Sequence, residues 1–539
     1  MKSECLPFSQ IPHTTRLFDD FLSDYSKVQR FYPRSPYFNQ WFKEEASRVR
    51  YDSQRRERVS AILERENQSW GASGKTLENI GRLRAGASAV VTGQQVGLFG
   101  GPLFAIFKAL TTVKLADQAT RAGVDCVPVF WLATEDHDLA EVNQVSIPGT
   151  DGALQKFTAS TVGLPGAPVG TVRFGLEIEA IVESVAKFLG DSEVISFLRE
   201  AYRPGETFGA AFARLFARTF GDWGVILLDA SDPEFHQIAQ PIYRAAIERA
   251  AELDEALLAR GRELEAAGYH QQVKVTPSST LLFTSRNSAR VPVHREVDAN
   301  GGTNFSVGKD RVPQAELLER VASLPRDFSG NALLRPVIQD YLLPTLAYTG
   351  GSAEVAYFAQ VAVVYEALLG RATPIIPRFS ATVAEAKPKG LLERYELRLP
   401  DLFQGPESLR EQMAARTLPR ELQSAFDQAE TSLEKSLAAI REGLARLDST
   451  LVDSATNAAS KMRHQLTQLR SRAARAELRQ TEVLGRHAEL LCNSLYPDKT
   501  LQEREIAGIY FVARYGEEFL RGLYDTIHPD CFDHQMISL

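Results

Sequence analysis

Apolar positions along this chain follow three rhythms in turn. Residues 1–80 read as mostly helical and polar, with an aromatic-rich stretch, FYPRSPYFNQWF. Short Val-rich runs then begin. SAVVTG (Ser88–Gly93) has the continuous apolar character of a buried strand. GPLFAIFKALTTVKLADQATRAG follows with helical spacing and stops at Gly123, a C-cap residue. CVPVFWLATEDHD (Cys126–Asp138) is a second buried strand, and it ends in acid. Strand, helix and strand in close succession make a βαβ unit, which predicts an α/β fold with a parallel sheet covered on both faces. GVILLDAS (Gly224–Ser231) adds a strand with an acid at its carboxyl end, and TPIIPRFSAT (Thr373–Thr382) adds one more. Alternation and turn signals (SIPGTDG, VDANGGTN) predict β-rich insertions near 143–175 and 271–310.

The third rhythm starts near Arg420. Leu422, Phe426, Ala429, Leu433, Leu437, Ile440, Leu444, Leu447 and Leu451 recur at steps of three and four. After a polar break near VDSATN, the series Met462, Leu466, Leu469, Ala473, Ala476, Gln480, Val483, His487 and Leu490 keeps strict steps of four and three. No proline falls between Pro419 and Pro497. This predicts an antiparallel coiled-coil hairpin. Residues 420–448 hold 4 basic and 6 acidic side chains, whereas 456–486 hold 7 and 2, so antiparallel arms attract. Such a hairpin serves either as a packed tertiary element or as a dimer interface. The patterns divide the chain into a core over 1–384, a helical domain over 385–495 and a segment over 496–539 that returns to the core.

Composition narrows the classes. The 539 residues suffice for roughly two or three domains. A net charge of -7 argues against a broad nucleic-acid surface. No window approaches the roughly 18 unbroken apolar residues of a membrane helix, and the first residues lack an apolar signal-peptide core. The four cysteines form no CxxC pair, so a zinc site or disulfide framework is not expected and a reducing cytoplasm is the default setting.

Five stretches carry candidate chemistry. In AVVTGQQVGLFGGPLFAIFKAL (Ala89–Leu110), Gly93, Gly97, Gly100 and Gly101 mark a strand-to-helix turn. Its backbone N–H groups and the helix start beyond Pro102 predict an anion site, with Gln94 and Gln95 as neutral polar groups. The plainer alternative is a turn packed closely on the sheet. The stretch is neither a Walker A loop nor GxGxxG. ATEDHD places Glu135, Asp136, His137 and Asp138 at a strand end, with Asn143 close behind. Carboxylates flanking an imidazole suit acid–base work or a divalent ion; the alternative is an N-cap cluster for DLAEVN. LLRPVIQDYLLPTLAYTGGSAEVAYFAQ spaces Arg335, Gln339 and Asp340 as on a helix. A strand through Tyr348 then leads to a second glycine turn at Gly350 and Gly351, and to a helix with Ser352 as N-cap and Glu354 and Tyr357 in its first turns. PRFSATVAEAKPKG offers Arg378, Lys387 and Lys389 to a phosphate or carboxylate, or else forms a solvated basic loop. LYPDKTLQER sets Tyr496, Pro497 and Lys499 where the chain re-enters the core, as a nucleotide-pocket wall or a structural hinge.

Taken together, VVTGQQVGLFGGPLFAIFKAL, PVFWLATEDHDLAEVN, LLRPVIQDYLLPTLAYTGGSAEVAYFAQ, PRFSATV and LQERE resemble, in order and spacing, the bacillithiol-biosynthesis cysteine-adding family, BshC. The resemblance runs nearly the whole chain. It implies a Rossmann-like parallel-sheet core with inserted connecting subdomains, similar to class I aminoacyl-tRNA synthetases, plus a coiled-coil domain used in homodimerisation. It implies a ligase adding L-cysteine to glucosaminyl-malate to give bacillithiol; the composition adds the expectation of a cytoplasmic protein with no nucleic-acid or membrane partner. ATP is the expected energy donor, with Mg²⁺ as its companion. The HIGH-type signature is replaced by TGQQVGLFGGP and no KMSKS-like loop occurs, so adenylate chemistry rests on fold analogy. On this reading Gln94 and Gln95 orient cysteine or nucleotide. His137 takes a proton from the attacking amine, Asp136 or Asp138 fixes its tautomer, and Arg378 meets the malate carboxylates. The alternatives are a nucleotide-dependent ligase or nucleotidyltransferase acting on another amine, and a non-catalytic coiled-coil scaffold.

Overall fold

The computed structural model describes residues 2–149, 152–190, 192–286, 289–297, 303–416, 420–448, 450–478 and 482–539. The strands that position the site are β1 (Lys2–Leu6), β2 (Ser88–Gln94), β3 (Cys126–Leu132), β4 (Ile226–Asp229), β5 (Thr345–Gly350), β6 (Ile375–Pro377), β7 (Ala381–Ala384) and β8 (His534–Ser538). The helices are α1 (Phe104–Arg121), α2 (Arg335–Leu342), α3 (Ser352–Leu369), α4 (Arg420–Leu447), α5 (Leu451–Leu478), α6 (Glu482–Leu495) and α7 (Gly508–Thr526).

Five strands form the parallel core sheet in the order β6-β5-β2-β3-β4. Both faces are covered, which is why its strands read as unbroken apolar runs. Successive side chains of β3 divide between the faces. Val127, Val129 and Trp131 join Ile62, Leu63 and Leu83 of the N-terminal helices. Phe130 and Leu132 join Phe107, Leu110 and Val113 of α1. Each such side chain contributes about 1.5–3 kcal/mol on burial. The chain moves outward from β2 to β3 and β4, then returns on the other side as β5 and β6. The order therefore reverses between β2 and β5, and a crevice opens at their carboxyl ends. Helix α3 is long and apolar enough to cross a membrane by length and composition. It is a core helix instead, with Val355, Ala359 and Val361 fully buried in the cluster that holds Val91 and Tyr348.

TPIIPRFSAT is not one strand. Pro377 ends β6, Arg378 N donates to Gly350 O at 2.8 Å, and the chain then leaves for a second sheet as β7. Proline has no N–H to continue the ladder. The second sheet has the order β1-β8-β7, with β8 antiparallel to β1 and parallel to β7. Ser352 is not the N-cap of α3 either. Gly351 holds that position, and Glu354 Oε2 accepts its N–H at 2.7 Å.

Both inserted stretches carry antiparallel strands. Gln144–Pro148 pairs with Leu154–Thr158, and five antiparallel strands span Ser279–Gly330. Parts of both predicted turns, 150–151 in SIPGTDG and 298–302 in VDANGGTN, lie outside the described residues.

The hairpin is formed by α4 and α5, but its turn comes earlier than VDSATN, which lies inside α5. The reversal is at Asp448, whose Oδ1 accepts from Thr450 N and Oγ1 at 2.8 and 2.7 Å. A short polar side chain that binds the backbone two residues on is a turn former. The acidic and basic arms pair as their charges predict: Arg463 with Glu434, and Arg470 with Asp427 at 3.3 Å. Phe426 and Ala459 are buried, whereas Ile440, Met462 and Leu469 are 54%, 50% and 57% exposed. Gln480 of the predicted heptad series lies outside the described residues.

Candidate functional site

A cavity of about 260 Å³ opens where β2 and β5 part. Gly93, Gln94 and Gln95 from the end of β2 form one lip, and Tyr348 with Gly351 and Glu354 from β5 and α3 forms the other. Arg335 of α2, Asp136 beyond β3, Arg378 and Arg504 complete the wall. The crevice thus sits at the point that the strand order dictates.

Lys108 ties the two lips together. It projects from the apolar helix α1 and is 4% exposed. Its Nζ donates to Gly93 O at 2.8 Å and to Gln94 Oε1 at 3.0 Å, and pairs with Glu354 Oε2 at 2.7 Å. Glu354 also accepts from the Tyr348 hydroxyl and from Gly351 N, each at 2.7 Å. Burial lowers the Lys108 pKa against the pull of Glu354. Burial alone would raise Glu354, but Lys108 and the hydrogen bonds outweigh it and hold the carboxylate below its ordinary value. Gly350 makes the arrangement possible, since a Cβ there would lie 2.8 Å from Glu354 Cβ.

A second buried pair stands at the far wall. Arg378 Nη2 donates to Glu503 Oε1 at 2.6 Å, and Glu503 Oε2 accepts from Ser380 Oγ at 2.9 Å and Ala381 N at 3.0 Å. Beside it, Arg504 Nη2 donates to Ser352 Oγ at 3.3 Å, and burial lowers its pKa. Behind these residues lies another cavity, of about 350 Å³, which shares Gly351, Ser352, Ala353, Arg378 and Arg504 with the first. Tyr496 and Lys499 line this second cavity together with His13 and Thr15.

The first glycine turn is not an anion cradle. Gly97 N donates to Gln95 O, Gly100 N to Gly97 O and Gly101 N to Leu98 O, so these groups are spent within the turn. Gly100 and Gly101 have φ of 86° and 73°, a region that favours glycine. The start of α1 is covered as well: Leu103 N donates to Ile506 O at 2.9 Å, and Gly508 N to Gly101 O at 3.1 Å. Of this stretch only Gly93, Gln94 and Gln95 reach the cavity.

The acidic stretch divides too. Gln95 Nε2 bridges Asp136 Oδ2 at 3.0 Å and Glu141 Oε2 at 2.8 Å, which holds Asp136 in the wall. Burial opposes the Asp136 charge, but Arg335 and backbone N–H groups outweigh it and keep the pKa low. His137 does not line the cavity. Its side chain is 45% exposed, with Nδ1 3.9 Å from Asp136 Oδ1 and its ring against Phe283. Asp138 is the N-cap of a short helix, accepting from Glu141 N, and Asn143 is that helix's C-cap. Glu135 points away, 3.5 Å from His236, and burial pushes its pKa up to about 8. Among the described residues, no group of three or more His, Cys, Asp or Glu side chains is placed to hold a metal ion. Lys387 and Lys389 belong to a helix over Ala386–Arg394, apart from both cavities.

Lys108, Glu503 and Arg504 were given no role by the sequence pattern, and Arg335 only a place on a helix. Lys108 had a signal, a single cation in the apolar run FAIFKAL. Trp131 had none. Its Nε1 is buried without a hydrogen-bond partner among the described residues, yet the ring lines the cavity.

The model of the BshC N-terminal Rossmann-like domain of bacillithiol biosynthesis matches residues 1–379, and that of the BshC C-terminal coiled-coil domain matches 381–539. A protein of Koribacter versatilis is 50% identical over 539 residues, covering 100% of both chains. One of Solibacter usitatus is 36% identical over 540 residues, again covering 100% of both. One of Salinibacter ruber is 33% identical over 538 residues, covering 97% of this chain and 96% of its own. All three bear the name "Putative cysteine ligase BshC".

Proposed function

Because the chain belongs to the BshC family of bacillithiol biosynthesis, we propose that it is a ligase joining the carboxyl of L-cysteine to the amine of glucosaminyl-malate. The observation that carries this reading is the crevice between β2 and β5. There Lys108, Arg335, Arg378 and Arg504 meet Asp136 and Glu354 between the end of β2 and the glycine turn at Gly351. Cationic side chains suit the carboxylates of both substrates, and acidic ones suit their amines.

A carboxylate does not condense with an amine in water unaided, and ATP supplies the activation. The residues fit such a polyanion. Arg378, Arg504 and the start of α3 at Ser352 and Ala353 form a rim common to both cavities, and Lys499 and Tyr496 extend it. Mg²⁺ accompanies the phosphates. Gln95, braced by Asp136 and Glu141, sets the reacting groups in place, and Gln94 does so from Lys108. Arg335 fixes a substrate carboxylate. Asp136, rather than the outward His137, accepts the proton that the attacking amine must lose. The exposed Ile440, Met462 and Leu469 on the hairpin support a homodimer formed through it. The unpaired cysteines suit a cytoplasmic setting.

The test is a reaction of purified protein with glucosaminyl-malate, cysteine, ATP and Mg²⁺, followed by mass for both the thiol product and the nucleotide released. Product with AMP and pyrophosphate means adenylyl transfer to the cysteine carboxyl, and product with ADP means phosphoryl transfer. No product from folded protein rejects the proposal.

A further inference from the structure

Cys5 and Cys531 are 526 positions apart in the chain, yet their Sγ atoms lie 3.9 Å apart. Cys5 is exposed and Cys531 half-buried, whereas Cys126 and Cys492 are buried. The second sheet brings the pair together. Cys5 of β1 stands opposite Gln535 of β8, and Cys531 lies on the turn leading into β8, with its N–H on His528 O at 3.1 Å. The Gln535 amide reaches the Cys531 sulfur at 3.9 Å. Two thiols at this separation, one of them open to solvent, are within side-chain rotation of a covalent bond.

We propose that Cys5 and Cys531 are a redox-active dithiol that low-molecular-weight disulfides oxidise to an intramolecular disulfide. The exposed Cys5 thiolate attacks one sulfur of the small disulfide and releases one small thiol, leaving Cys5 as a mixed disulfide. The Cys531 thiolate then attacks Cys5 Sγ and expels the second small thiol. Two electrons pass from the pair to the small disulfide, and the two protein thiol protons end on the released thiols. Partial burial and the neighbouring Cys531 raise the Cys5 pKa, which slows its attack on a small disulfide.

The place of the pair gives the oxidation a target. In the same sheet, His534 of β8 meets Ser380 Oγ at 2.8 Å and Thr382 Oγ1 at 2.9 Å, and Ser380 also binds Glu503, the partner of Arg378. His13 and Thr15, a few residues beyond β1, line the second cavity. A bond between β1 and the approach to β8 therefore clamps the backing of the crevice. This chemistry stands apart from the reaction assigned above. If that reaction holds, its thiol product, once oxidised, is a disulfide of the required class.

The test uses the folded full chain with glutathione disulfide. Free thiols are then alkylated under denaturing conditions, and the peptides are mapped by mass. The expected result is a linked Cys5–Cys531 peptide with Cys126 and Cys492 alkylated, reversal by dithiothreitol, and a higher Tm for the oxidised form. Cys531→Ser should instead stop at glutathione attached to Cys5, and Cys5→Ser should take up neither. Four free thiols in the treated native protein, a mixed disulfide persisting in the unmodified chain, or a linkage between two chains would each overturn the proposal.

Discussion

The crevice and the hairpin dispose of charge in opposite ways. In the crevice, Lys108–Glu354 and Arg378–Glu503 are withdrawn from water, and every described oxygen of the two carboxylates has a partner. On the hairpin, Arg463–Glu434 and Arg470–Asp427 face solvent, while apolar side chains between them stay open. Where ions are buried, losing one strands the other, so geometry is held by charge. Where ions are exposed, solvent screens them, and the apolar seam is left to decide what the element does.

The largest effects should come from stranding a buried ion. Arg378→Gln leaves Glu503 without its cation, and urea denaturation should show a loss of about 3–5 kcal/mol. Adding Glu503→Gln should recover much of it, because neighbouring effects do not add. Lys108→Met should cost stability by the same mechanism and lower kcat/KM by roughly 100-fold or more, as losing a fixed cation at a reacting site does. Glu354→Gln in that background should restore the melting temperature but not turnover. If turnover returns, Lys108 only holds the fold.

A smaller effect is set by pH. Glu135 is pushed up from 4.5 to about 8, so between those values the folded state holds a proton that the unfolded state has released. Stability should therefore fall as pH rises through this window, by up to about 1.4 kcal/mol per pH unit. Glu135→Gln should flatten that slope in urea titrations. His236, lowered to about 4 by burial, acts at the other end. It costs stability as pH falls from its ordinary value of 6.5 towards 4, because only the unfolded state takes the proton.

On the hairpin the order of importance reverses. For the homodimer proposed above, Ile440→Lys with Leu469→Lys should shift sedimentation from dimer to monomer and leave the melting of the core unchanged. A dimer that persists would move the interface elsewhere. The smallest effect belongs to Arg463→Ala, which removes an exposed pair and should give a Tm that calorimetry cannot separate from the parent in moderate salt.

This contrast also explains what was legible in the residues. The core strands could be read because a sheet covered on both faces needs continuous apolar runs, as in CVPVFWL. The hairpin could be read because its spacing is local. The glycine turn misled because its N–H groups are satisfied within the turn, while the start of α1 is met by Ile506 and Gly508 from the far end of the chain. His137 drew attention by its acidic neighbours, but local composition does not say which way a ring faces. Arg378 was found as a cation, but its neutralisation by Glu503 depends on a contact between distant segments. Ser352 looked like a cap because a serine before an apolar helix usually is one; here Glu354 reaches back to the glycine instead.

The order of β1, β8 and β7 also bears on how the molecule is made. β8 pairs with strands on both sides, yet it follows the whole hairpin in the chain. During synthesis β1 and β7 emerge with a gap between them that only β8 fills, and Glu503 and Arg504 are likewise translated after α4 and α5. The hairpin is therefore outside the ribosome, its seam open to a second nascent or finished chain, before the crevice has its last wall. For the homodimer proposed above, assembly through the hairpin can therefore precede completion of the site.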